Sequence, residues 1–298
     1  MHRIDSISDL HAKLGLPKPK HPLISWMDAR HMHIPAELVG SKITEEFYMI
    51  AMKDKSCGAD YGRHSFDFQE GIMVFSEPGQ VYTIRQPVQR GDVRGWMLYF
   101  HPDLIRTTHL EQQMADYSFF NYEVFEALHL SEGEEQRVND CVASIQAEYE
   151  QRIDRHSRRV IVSNLELLLN YCLRFYERQF HTRSSQSRDT VSQFEKELKR
   201  YFQDQRYLEL GLPTIQYFAE KAHLSQHYFS DLLKKETGRS PKDHINYYLV
   251  ERAKSLLLGS EQSVSEIAYD LGFNYPHYFA RVFKSKTGLS PVQYRNQN

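Results

Sequence analysis

Arg281, Gln226, His227 and His277 are side chains that can hydrogen-bond in the plane of a flat base edge, and they recur in two related stretches. Residues 227–241 and 277–291, an offset of 50, share His, Tyr, Phe, Lys, Thr, Gly, Ser and Pro, eight of fifteen positions. Read as helices, both have an apolar side, Phe229, Leu232 and Leu233 in the first and Phe279, Val282 and Phe283 in the second. That leaves Gln226, His227, Ser230, Asp231 and Lys234 facing outward from the first copy. Tyr275, Pro276, His277, Ala280, Arg281 and Lys284 face outward from the second. The chemistry such faces could do is recognition of double-stranded DNA. Arg281 can fork onto guanine O6 and N7, Gln226 onto adenine, and both His residues can donate to base acceptors or phosphate. Lys234, Lys235, Lys284 and Lys286 are expected to hold phosphates, which fixes register without reading sequence. Asp231 stands where the second copy has Arg281; an acid there repels phosphate unless it accepts from cytosine N4 or a neighbouring side chain.

The elements needed to position these faces are legible around them. Pro213 suits the opening turn of a helix carrying Ile215, Phe218, Ala219 and Ala222; His223-Leu224 make a turn and Ser225 caps a second helix to about 236. In the second copy Ser263 caps a helix with Val264, Ile267, Ala268 and Leu271, Gly272-Phe273 turn, and a helix runs from about 276 to 286. Ala219 and Ala268 sit at matching places where two helices must approach closely, and Gly272 supplies the positive φ of a tight turn for which the first copy uses His223. Helix, short turn, helix is the pattern whose second helix enters a major groove. Residues 241–258 between the copies would span about 27 Å as a helix. That suits two reading helices in successive groove openings about 34 Å apart.

Ahead of this region the period changes twice. Residues 5–20 open with a short helix pattern (Ile7, Leu10, Leu14), stopped by Gly15 and Pro17. Runs at 47–52, 65–68, 72–75, 81–84 and 96–100 are apolar or alternating and are parted by turn-formers, as expected of an antiparallel sandwich or small barrel. Helical periodicity follows over 134–153 and 156–180, where Leu167, Leu168 and Leu169 widen the apolar face, either for a helix packed on the β-rich part or for a dimer seam as well. Trp26, Tyr48, Tyr82, Trp96 and Tyr99 are either core or a stacking surface for a small ligand. His31, His33 and His64, with Glu37, Glu45 or Glu70, are the candidate metal ligands of a rival, enzymatic reading. The run HMHIP reads as a loop, no nucleophile elbow or phosphate-binding glycine loop is present, and no metal, cofactor or catalytic residue is assigned. Polar, serine-rich 184–189 reads as a linker.

The region from about 213 to 296 resembles the tandem helix-turn-helix domain of the AraC/XylS family of bacterial transcription regulators. The residues that carry the resemblance are Ala268, Gly272-Phe273, Tyr278-Phe279, Arg281, Phe283-Lys284, Thr287-Gly288, Ser290-Pro291 and Tyr294-Arg295, with Arg252-Ala253-Lys254 and Leu256-Leu257 matching the family's linker helix. The N-terminal part is similar to the family's cupin-like sensor domain through Asp67-Phe68, Glu70-Gly71, Pro78-Gly79-Gln80 and Gly95-Trp96. The resemblance implies effector-dependent control of a promoter, with a small-molecule effector and RNA polymerase as partners.

Bulk properties fit. The 298 residues are 41% apolar and 26% charged, with three widely spaced cysteines suited to reduced thiols, no apolar run long enough to cross a membrane and no signal-peptide core, so a cytoplasmic protein is expected. The net charge of −2 divides into −5 over 1–189 and +3 over 190–298, so nucleic-acid binding must come from charge placed on one face. The expected architecture is α+β. It comprises a cupin-like β-barrel with flanking helices (1–183, effector sensing and homodimerisation), a linker (184–189) and an all-α tandem helix-turn-helix domain (190–298). The expected function is that of a transcription activator and not of an enzyme.

Overall fold

A computed structural model describes residues 2–53, 71–83, 87–91, 94–123, 126–182 and 184–297. The chain divides into two compact units, Met1–Thr182 and Arg183–Asn298. The expected strand at 65–68, the end of the run at 81–84, Cys57, His64, and Asp67, Phe68 and Glu70 lie outside the described residues.

The first unit begins with β1 (His2–Ile4), α1 (Ile7–Lys13), β2 (Ile24–Asp28), β3 (Lys42–Glu45), β4 (Tyr48–Lys53), β5 (Ile72–Ser76), β6 (Val81–Thr83) and β7 (Gly95–Phe100). Helices α2 (Pro102–Ile105) and α3 (His109–Gln113), β8 (Leu128–His129), α4 (Glu132–Glu150) and α5 (Ser157–Thr182) complete it. Five strands form one antiparallel sheet in the order β2-β7-β4-β5-β8, and β1-β3-β6 form a second. The two are separate ladders, so the described strands make no closed barrel, and β1 runs parallel to β3.

Alternation along β7 sorts the packing. Trp96 donates from its indole nitrogen to Asn139 of α4 at 2.9 Å, placing Trp96, Leu98 and Phe100 on the helix side. On the other face Tyr99 meets Phe47 edge to face at 5.5 Å and joins a core with Ile43 of β3 and Ile4, Ile7 and Leu10. Gly95 is obligatory for this pairing: its φ is +119°, and a Cβ there would stand 2.0 Å from the Met52 carbonyl oxygen. Of the three consecutive leucines at 167–169 in α5, Leu168 and Leu169 enter the core, whereas Leu167 is 47% exposed.

The second unit is helical throughout its described residues, with α6 (Ser184–Gln203), α7 (Tyr207–Leu210), α8 (Ile215–Lys221), α9 (Gln226–Thr237), α10 (Pro241–Gly259), α11 (Val264–Asp270), α12 (Pro276–Thr287) and α13 (Pro291–Gln297). The stretch 184–189, expected to be a linker, instead opens α6. It has no apolar period of its own, but Phe194, Leu198, Tyr201 and Phe202 further along bury one face and carry the helix through it. One hydrophobic core runs through α6 to α12, taking in Phe218 and Phe229 of the first copy and Ile267, Phe279 and Phe283 of the second. None of the described helices is long and apolar enough to cross a membrane.

Candidate nucleic-acid interface

The two copies are built by the same local bonds. Thr214 caps α8 by accepting from the Tyr217 amide at 3.2 Å, so Pro213 precedes the cap and does not open the helix. Ser225 caps α9, accepting from the Tyr228 amide at 3.1 Å. Ser263 and Glu266 form a reciprocal capping box at the start of α11. Each turn closes with an amide donating back to the buried alanine: Leu224 to the Ala219 carbonyl at 2.9 Å, Phe273 to the Ala268 carbonyl at 3.0 Å. The turn residues have positive φ in both copies, +56° at His223 and +85° at Gly272. Gly272 is also confined, since a Cβ would sit 3.1 Å from the Cβ of Tyr207. Both second helices end on a left-handed glycine, Gly238 and Gly288, whose amides donate to the carbonyls of Lys234 and Lys284 at 2.9 Å.

The copies differ in how the second helix starts. Ser225 caps α9 with its side chain; Tyr275 at the equivalent place makes no side-chain cap, and Pro276 opens α12 instead. The Tyr275 ring is thereby left 64% exposed, with its centroid 5.5 Å from that of His277.

On α9, Phe229, Leu232 and Leu233 are buried as expected, joined by Tyr228; on α12, Phe279 and Phe283 are buried while Val282 is half-buried. Gln226, His227 and Lys234 are exposed, and Ser230 and Asp231 are half-buried. The Ser230 hydroxyl donates to the Gln226 carbonyl at 2.6 Å, leaving its lone pairs to accept. Tyr275, His277, Arg281 and Lys284 are exposed, with Pro276 and Ala280 half-buried. The Arg281 guanidinium carbon lies 5.1 Å from the Tyr278 ring centroid, a contact that i, i+3 spacing makes readable in retrospect. Lys286, expected on phosphate, is held elsewhere: its ammonium donates to Asp243 at 2.7 Å, and this bond is the first cause holding the Asp243 carboxyl below its ordinary pKa.

The 19-residue spacer α10 buries Ile245, Leu249, Val250, Ala253 and Leu257. Sequence reasoning missed two braces around it. Arg295 of α13 donates to the carbonyls of Leu257 at 3.0 Å and Gln262 at 2.7 Å, tying the chain end to the close of α10. Tyr207 of α7 fills the space beside Gly272. Neither α7 nor α13 is long enough to show a period.

Two of the rival metal candidates, His64 and Glu70, lie outside the described residues. His31 is exposed, His33 half-buried, and no three His, Cys, Asp or Glu side chains are grouped to hold a metal among the described residues. Glu45 is buried and accepts from the Tyr82 phenol; burial pushes its carboxyl up to about 7. Of the aromatic candidates, Trp96 and Tyr99 are buried, and half-buried Tyr48 stacks on Phe100 at 4.8 Å. Trp26 is half-buried, and Tyr82 is 40% exposed.

Comparison with known proteins places this arrangement. Residues 218–297 match the family model described as "Helix-turn-helix domain". The chain is 31% identical over 144 residues to the "Uncharacterized HTH-type transcriptional regulator YijO" of Escherichia coli (strain K12), covering 48% of this chain and 47% of that one. It is 36% identical over 83 residues to "Uncharacterized HTH-type transcriptional regulator YobQ" of Bacillus subtilis (strain 168), 28% of this chain and 34% of that one. It is 33% identical over 100 residues to the "MmsAB operon regulatory protein" of Pseudomonas aeruginosa, 34% and 32% of the two chains. The matched stretches thus span less than half the length of these relatives. Among solved structures, the C-terminal domain of AraT, a response regulator from Geobacillus stearothermophilus, is 31% identical over 35% of this chain and 85% of that one, with a TM-score of 0.31. The C-terminal unit of this chain carries a helix-turn-helix domain.

Proposed function

We propose that the chain is a sequence-specific transcription regulator that binds promoter DNA through α9 and α12. The observation that carries this reading is the repeated unit: two second helices, each closed by a left-handed glycine, packed by its aromatic side and presenting polar side chains outward. In this reading Gln226, His227, Ser230, Asp231 and Lys234 meet one groove opening, and Tyr275, Pro276, His277, Arg281 and Lys284 the next. Arg281 and Gln226 read base edges, and Lys234 and Lys284 hold phosphates. The second copy is the better equipped reader, because its central outward residue is arginine where the first has Asp231.

The first unit, in the same reading, is a cupin-like sensor of a small-molecule effector, and the protein works in the cytoplasm as a homodimeric activator that engages RNA polymerase. The two facing sheets support a sensor with an interior, and exposed Val160 and Leu167, seven residues apart on α5, support a seam between two copies. The function is binding and switching, not catalysis. Selecting bound sequences from a random duplex pool with the full-length protein tests the DNA-reading part and, through the symmetry of the sites, the dimer. A preferred site with two recognition blocks about one helical turn apart is expected. Equal affinity for random and selected duplexes would overturn sequence-specific regulation.

A further inference from the structure

A cavity of about 310 Å³ opens beside the first copy, between α6 and α8 with α9 beneath it. Its floor is closed by Phe194, Phe218 and Phe229, whose rings pack edge to face: Phe194 lies 4.9 Å from Phe218 and 5.6 Å from Phe229. Its mouth is ringed by Lys196 and Arg200 of α6 and Lys221 of α8, all exposed. The one acid in the lining, Glu197, is turned to other partners: it accepts from the Tyr217 hydroxyl at 2.6 Å and lies 3.8 Å from Arg206. Arg200 has an acid 3.7 Å away, Asp204, at a distance that leaves most of its fork open.

Nothing in the reading of α9 and α12 uses this place. An aromatic floor with a cationic rim and an occupied carboxylate selects for a molecule that is apolar at one end and anionic at the other. A nucleotide fits poorly, because a floor of phenyl rings offers no partner to ribose hydroxyls or ring nitrogens. The volume lies at the small end of ligand cavities, suited to an alkyl or aryl body of roughly six to ten carbons. We infer that this cavity is a binding site for a small amphipathic carboxylate, its tail on Phe194, Phe218 and Phe229 and its charge between Lys196, Arg200 and Lys221.

Such an occupant touches α6, α8 and α9 together, next to the His223 turn, so it can stiffen or shift the first reading helix. That consequence rests on α9 reading DNA; the binding itself does not.

Calorimetric titration of the full-length protein with octanoate and with 1-octanol tests the site directly. One octanoate is expected per chain. The double variant K196E/K221E should weaken it by about ten-fold or more through repulsion at the mouth, and 1-octanol should bind no better than octanoate binds that variant. In the unmodified protein, octanoate should also protect Lys196 and Lys221 from amine acylation, read by mass spectrometry, while Lys13 reacts unchanged. Protection locates the site without relying on the variant's fold. The inference is overturned by any of three results: no saturable octanoate binding, binding without protection of Lys196 and Lys221, or 1-octanol binding as tightly as octanoate. A K196E/K221E protein that loses only DNA affinity, with no octanoate site in the parent, would make these lysines phosphate contacts instead.

Discussion

Arg281 lies over the face of Tyr278, one turn earlier on α12, with 5.1 Å between guanidinium carbon and ring centroid. Tyr278 is itself half-buried and packs against Phe273 at 5.8 Å, so the aromatic plane is fixed from behind. A long, flexible side chain is thereby held in few conformations before it meets a base, which lowers the ordering cost of a two-pronged contact.

Arg281→Ala should therefore cost about 1–3 kcal/mol on the selected site and relax preference at one base pair. Arg281→Lys should fare little better, since an ammonium neither forks nor stacks in the same way. Repeating the binding selection with both variants checks this. An unchanged sequence preference would remove Arg281 from the reading role.

The lysines should separate by their partners. Lys234→Ala and Lys284→Ala should each reduce the salt dependence of DNA binding by about one unit of slope. Lys286→Ala should leave that slope nearly unchanged, because its ammonium is already on Asp243. Affinity measured across a salt series distinguishes the three.

The two turns make opposite stability predictions. Gly272→Ala meets both a positive φ and the Tyr207 side chain, and should destabilise the second unit by roughly 1–2 kcal/mol. His223→Gly relieves a side chain at φ +56° and should stabilise it, by roughly 0.5 kcal/mol once the greater freedom of unfolded glycine is deducted. Urea unfolding of the paired variants reads both signs.

Glu45 should make the first unit more stable in mild acid than at neutral pH. Its carboxyl is raised from 4.5 to about 7 by burial, so in the native state it keeps a proton that the unfolded chain has lost. Stability should fall as pH rises from about 4.5 and level off above about 7, a total of roughly 3 kcal/mol. Unfolding midpoints between pH 5 and 8 should show this decline, and Glu45→Gln should flatten it.

The reading units were legible because their signals are local. Ser225 and Ser263 are caps that act within three residues, His223 and Gly272 mark turns by the backbone they must adopt, and apolar spacing sorts inward from outward faces. The strands at 72–75 and 96–100 are legible as short apolar runs parted by turn-formers. What stayed hidden depends on distant partners. β1 is three residues long and parallel to a strand some forty residues on, a pairing no short window contains. The serine-rich start of α6 is helical because of a core formed by residues ten positions later, and the Lys286–Asp243 pair joins residues 43 apart. Octads of identity revealed that a unit was repeated, but not that Tyr207 and Arg295 brace it from outside.

The brace at Tyr207 reaches beyond stability. A residue ahead of the first copy seats against the turn of the second, and a single core joins α9 to α12. If α9 and α12 read DNA as proposed, they act as the fixed jaws of a caliper. Each base pair inserted between two contact blocks turns the second block by about 35° around the duplex axis, and a rigid caliper cannot follow. In that reading, a mismatch in operator spacing would be absorbed by bending or twisting the DNA, and sequence between the blocks would be selected for pliancy.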